Sequence, residues 1–112
     1  MPTVTERFLK YIRFDTQSDD RSQSVPSTEK QLLLGRELVK ELQEMGACDA
    51  QMDKNGYVTA TIPSNLKEEA PVLGLIAHID TATDFSGAGV NARIVKNYDG
   101  GDIPLGEASG AV

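Results

Sequence analysis

The 112-residue chain predicts an α/β fold. Three observations carry that reading. Two stretches place apolar residues at helical spacing, an Asn-Gly pair separates two extended runs, and the apolar run Val72 to Ala77 has the length of a strand buried on both faces of a sheet. Pro71 marks the start of that run, and polar residues follow it directly.

In chain order, Val4, Phe8, Tyr11 and Ile12 fall on one helical face, and Thr3 with Glu6 forms a capping box. This predicts a helix from about Val4 to Arg13 whose apolar stripe packs on a core. The stretch from Phe14 to Pro26 is rich in Ser, Asp and Gln and reads as a loop. Its acidic residues Asp15, Asp19 and Asp20 lack the alternation and glycine of a calcium loop and read as solvated turn residues. Thr28 and Gln31 suggest a second capping box, opening the longest helix, about Glu29 to Met45. Leu34, Leu38, Val39, Leu42 and Met45 form its core stripe, Leu32 flanks it, Leu33 falls off it, and Gly46 is placed to end it.

Asn55-Gly56 predicts a β-hairpin through a type I′ turn, with Val58, Ala60 and Ile62 alternating against Tyr57, Thr59 and Thr61. The one cysteine, Cys48, excludes an internal disulfide and is assigned to packing. Pro63 to Glu69 is a polar connection in which Glu68-Glu69 solvates a turn. After the buried strand, Thr81 to Gly89 is a loop over its carboxyl end, where ligands of open α/β sheets collect. Gly87-Ala88-Gly89 is too short for a phosphate loop. Arg93-Ile94-Val95 reads as a further short strand, Tyr98 to Asp102 as a turn, and Ile103 to Val112 is weakly patterned.

A net charge of −6 without a basic patch argues against nucleic acid or an anionic membrane surface as partner and favours small molecules or peptides. The start has neither the basic end nor the apolar core of a signal peptide, and no run reaches the roughly 18 apolar residues of a membrane span. Cytoplasmic residence is the default expectation.

The chemistry-bearing residues are His78 and Asp80, at the end of the predicted central strand. Alternation along a strand points both to one face, roughly 6.6 Å apart in rise, with Ile79 turned away. A neutral imidazole can give one nitrogen to Zn²⁺ while a carboxylate holds its other N–H, fixing the tautomer and raising ligand basicity. The plain alternative is a partly buried histidine with Asp80 capping the next turn.

Several blocks together resemble the amino-terminal part of the peptidase T family of bacterial tripeptide aminopeptidases. They are Arg7 to Tyr11, Phe14-Asp15-Thr16-Gln17-Ser18, Pro26-Ser27-Thr28-Glu29, Asn55-Gly56-Tyr57-Val58, Ala77-His78-Ile79-Asp80-Thr81, Asp84-Phe85-Ser86-Gly87 and Asn97 to Asp102. The resemblance implies an α/β sandwich zinc-exopeptidase catalytic domain interrupted by a dimerisation domain. Residues 1–112 are then expected to be the opening segment of the catalytic domain, with the rest of that domain and the dimerisation domain beyond it. It also implies cytoplasmic location, short peptides such as tripeptides as substrates, a homodimer as the full-length assembly and two Zn²⁺ per full-length subunit. His78 matches the family's first metal-binding histidine, and Asp80 matches the catalytic aspartate that clamps its ring. The family's remaining ligands and its Glu-Glu pair come later in the full-length sequence, so Glu68-Glu69 is not that pair. The isolated chain is accordingly expected to be inactive. Two other readings use the same residues: a related metal-dependent deacylase or carboxypeptidase, and a free-standing non-catalytic α/β binding module.

Overall fold

The computed structural model describes residues 1–105. Its elements run α1 (Val4–Tyr11), α2 (Gln31–Glu44), β1 (Cys48–Met52) and β2 (Val58–Thr61). The strands form one two-stranded antiparallel sheet, with Met52 opposite Val58, Gln51 opposite Thr59 and Cys48 opposite Thr61. The register slips between Cys48 and Gln51, where Asp49 takes a positive φ of 55°. One face of the sheet meets α2, at Met52 and Val58 beside Gly35.

At the start of α1 the expected capping box forms. The Thr3 hydroxyl accepts from Glu6 N at 3.2 Å, and Thr3 N donates back to the Glu6 carboxylate at 2.6 Å. At α2 it does not, because both side chains are committed elsewhere. Lys30 is the N-cap, without a side-chain cap; Thr28 Oγ1 donates to the Gln17 carbonyl, and Gln31 Nε2 reaches Ser18 and Ser27. Gly46 ends the helix as expected, at φ 84°. Its N–H donates to Gln43 O and that of Ala47 to Leu42 O, the paired bonds of a Schellman motif.

The stripe of α1 does not pack on an apolar core. No residue of α1 is buried, and Val4 and Phe8 stay exposed. Ionic contacts with α2 hold the helix instead. Glu41, whose side chain is 6% exposed, lies 2.9 Å from Arg7 Nη1 and 2.8 Å from Lys10 Nζ; it also accepts from the Tyr11 hydroxyl, while Lys10 pairs with Glu37. The apolar core among the described residues is small: Leu34 is buried, Leu38, Val39 and Leu42 are half-buried, and Met45 and Leu33 are exposed. Cys48 is exposed too, so its assignment to packing is corrected.

The hairpin forms with a different turn. Gly56 N donates to Asp53 O at 3.1 Å, and Asp53 Oδ1 accepts from the N–H groups of Asn55 and Tyr57. Only Gly56 of the Asn-Gly pair has positive φ, at 88°. Asp at the first position and a left-handed Gly at the fourth is the pattern of a type I turn closed by a glycine bulge.

The largest departure is at Val72 to Ala77. No strand forms there, and Val72 (98%) and Ile76 (100%) are fully exposed. A central strand needs neighbours on both edges, and neither β1 nor β2 pairs with this run. Neither a sandwich nor the short strand at Arg93 to Val95 forms among the described residues, for the same want of a ladder partner. The turn at Tyr98 to Asp102 does form, with the Tyr98 hydroxyl on Gly101 O at 2.7 Å and Gly101 N on Asp99 Oδ1 at 3.1 Å. The patterning of residues 106–112 lies outside the described residues. No helix among the described residues is long and apolar enough to cross a membrane.

Two outcomes test this packing. A Cβ at Gly56 would stand 3.1 Å from Leu32 Cδ2 in a left-handed backbone, so Gly56→Val should destabilise the fold by about 1–2 kcal/mol in chemical denaturation. The bonds from Lys10 and Tyr11 hold the Glu41 carboxyl below the usual glutamate value of 4.5. Its contribution is therefore complete above that value and disappears as pH falls through the lower folded-state value. Amide exchange should show α1 loosening selectively on acidification, and Glu41→Gln should loosen it at neutral pH by about 1–3 kcal/mol.

Candidate functional site

A parallel bridge between Gln17 and Thr81 builds the site. Thr81 N donates to Thr16 O at 3.1 Å, and Ser18 N donates to Thr81 O at 3.0 Å, joining an extended piece of the first loop to the residues just after His78 and Asp80. Thr16 is 3% exposed, so this stretch is an inner edge of the fold and not the solvated loop its composition suggested. Gln17 Nε2 extends the tie by donating to the carbonyls of Thr83 and Phe85. Gly87 completes the approach. A Cβ there would stand 2.9 Å from Asp15 Oδ1 and 3.2 Å from Thr81 Oγ1, so the loop after Asp80 comes this close only with a bare Cα.

His78 and Asp80 meet, although the strand expected to align them is absent. His78 Nδ1 lies 3.0 Å from Asp80 Oδ1 and 2.9 Å from the Asp80 carbonyl oxygen. A carboxylate and a carbonyl can only accept here, so Nδ1 carries the proton and, in the neutral ring, Nε2 carries the lone pair. The side chains are 85% and 43% exposed, so the imidazole stands in solvent on a half-covered carboxylate.

The other carboxylate oxygen is occupied as well. Ser18 Oγ donates to Asp80 Oδ2 at 2.7 Å, and Gln31 Nε2, at the first residue of α2, reaches Ser18 Oγ at 3.2 Å. The Ser18 bond chiefly, and the His78 bond to a lesser degree, hold the Asp80 carboxyl below its usual range, against an opposing effect of burial that ranks between the two. Reading His-x-Asp from the sequence located the pair but missed Ser18 and Gln31, which lie 62 and 47 positions before Asp80 and His78 respectively. The polar run Thr16-Gln17-Ser18 does not announce its partner, and the spacing that singles out Gln31 points to Thr28 rather than to Ser18.

Other acidic residues have different work. The Lys30 ammonium, 2.9 Å away, and then the Gln17 N–H hold the Asp15 carboxyl below its ordinary value. Asp19 accepts from Arg21 N at 3.0 Å, Asp20 is exposed, and Glu68 and Glu69 stand exposed in their connection. Among the described residues no three His, Cys, Asp or Glu side chains gather into a group able to hold a metal ion. The donor set therefore fits one oriented ligand position and not a closed metal site.

Fold and site define an α/β segment that presents one histidine clamped by one aspartate. No family model matches the chain. Curated proteins match it along nearly its whole length. It is 56% identical over 105 residues to Peptidase T of Clostridium acetobutylicum, covering 94% of this chain and 26% of that protein. Peptidase T of Bacillus subtilis is 52% identical over 104 residues (93% of this chain, 25% of that protein), and Peptidase T of Caldanaerobacter subterraneus subsp. tengcongensis is 47% identical over all 112 (27% of that protein). The chain belongs to the Peptidase T family, and it spans about a quarter of the length of the curated relatives it matches.

Proposed function

We propose that this chain is a segment of the catalytic domain of a dizinc, cytoplasmic aminopeptidase that releases the amino-terminal residue of tripeptides and acts as a homodimer. The observation that carries the reading is the 47–56% identity to proteins named Peptidase T along at least 93% of the chain. Two structural facts support it. The apolar run Val72 to Ala77 lies bare, as a central strand does without its neighbours, and an exposed run of that length marks a surface meant for burial. The His78–Asp80 pair has the form of a metal ligand with its orienter, Nδ1 held and Nε2 left with its lone pair.

In this reading His78 would hold a zinc ion through Nε2, with Asp80 fixing the tautomer and making the ring a better donor. The chemistry that zinc supplies when bound is polarisation of the scissile carbonyl and activation of a water. Asp80 holds the proton on Nδ1, which leaves Nε2 free to serve as the ligand atom.

In the full-length protein, His78→Ala should abolish release of amino-terminal residues from tripeptides. Asp80→Asn should lower zinc affinity roughly 10–100-fold in a chelator competition. Parent affinity in Asp80→Asn would remove the orienting role. Calorimetry on the 112-residue chain alone should give at most weak heat with Zn²⁺, since one ligand cannot close a tetrahedral site. A submicromolar site there would refute the assignment of the remaining ligands to residues beyond this segment.

A further inference from the structure

The Asp80 carboxylate has two oxygens and two jobs. Oδ1 takes the His78 N–H, and Oδ2 takes the Ser18 hydroxyl at 2.7 Å. A carboxylate bonded at one oxygen only can rotate about its Cβ–Cγ bond and lose the planar approach to the imidazole. Bonded at both, it is fixed in plane. The residue that fixes it is itself held twice, Ser18 N tied to Thr81 O at 3.0 Å and Ser18 Oγ accepting at 3.2 Å from Nε2 of Gln31, which is buried at the first turn of α2. Because the Ser18 proton is committed to Asp80, its lone pairs are what Gln31 finds, so the chain of donors runs in one direction, Gln31 to Ser18 to Asp80.

We infer that Ser18 is a positioning residue of the His78 site: backed by Gln31, it locks the Asp80 carboxylate in the orientation that holds the His78 ring. This rests on the reading of His78 as a metal ligand. Ser18 touches neither the imidazole nor any reacting atom, so its effect passes entirely through Asp80 and is absent when Asp80 cannot use it.

The test is a double-mutant cycle in the full-length protein, read by zinc affinity in chelator competition and by kcat and KM on a tripeptide. Ser18→Ala should lower zinc affinity about 10-fold, the low end for groups behind a metal ligand, and lower kcat with KM unchanged. Ser18→Thr, which keeps the hydroxyl, should restore both. Added to Asp80→Ala, which leaves Ser18 no group to hold, Ser18→Ala should cost nothing further, the non-additivity expected of residues in one network. Thermal melting of the metal-free variants separates these effects from loss of fold. Should Ser18→Ala fail to fold, Ser18→Cys, nearly isosteric with a weak donor, takes its place with the same expectation. Parent affinity and kcat in Ser18→Ala beside a clear loss in Asp80→Asn would overturn the role of Ser18 and leave the ligand reading standing. Independent, additive losses would overturn it as well. Parent zinc affinity in Asp80→Asn would overturn the ligand reading, and this inference with it.

Discussion

The site depends on a backbone tie, the pair of hydrogen bonds by which Thr81 accepts from Ser18 and donates to Thr16. It closes a loop of more than sixty residues, and closing such a loop costs about 4 kcal/mol of chain entropy beyond a constant. A single hydrogen bond, at about 0.5–1.5 kcal/mol net, cannot hold it. The tie has company: Ser18 to Asp80, and Gln17 to the carbonyls of Thr83 and Phe85. Together these bonds are of the right size to offset the closure. The same side chains that orient Asp80 thus help keep its segment in place, and orientation and closure are one cooperative event.

How α1 is held follows a different logic. Burying an apolar stripe needs a partner surface, and α2 offers α1 the carboxylates of Glu37 and Glu41 instead. A carboxylate as covered as Glu41 would be costly alone, but with Arg7, Lys10 and Tyr11 around it both oxygens find donors. The exposed Phe8 and Val4 are the remainder of that choice, since a helix docked by its polar side turns apolar residues outward.

Local rules read this sequence well where the deciding atoms are close in the chain. The Thr3–Glu6 box, the Gly46 stop and the turn at Tyr98 to Asp102 all lie within a few residues, and the sequence shows each of them. The Asn-Gly hairpin was half legible: Gly56 is left-handed as expected, but the Asp53 carboxylate, by taking the Asn55 and Tyr57 N–H groups, selects a type I turn over I′. Legibility fails where a partner is distant or missing. Thr28 and Gln31 spell a capping box, yet Gln17 and Ser18 claim them first. Val72 to Ala77 spells a strand, and a strand is a property of its neighbours as much as of its own residues. Of the candidate site, the His78–Asp80 pair was visible because it spans two residues, while Ser18 and Gln31 were hidden by sequence distance.

The pairing of His78 with Asp80 therefore has a cause other than strand alternation. In a flat strand the two side chains stand roughly 6.6 Å apart in rise and would need to lean together to touch. Here the irregular backbone lets Nδ1 reach the Asp80 carbonyl and carboxylate at once. Those two acceptors make the tautomer doubly determined, for removing either leaves the other to hold the Nδ1 proton. The carbonyl fixes only which nitrogen is protonated. The carboxylate, with its negative charge, is the partner that strengthens Nε2 as a donor, and the Ser18 hydroxyl on its other oxygen keeps that charge turned toward the ring.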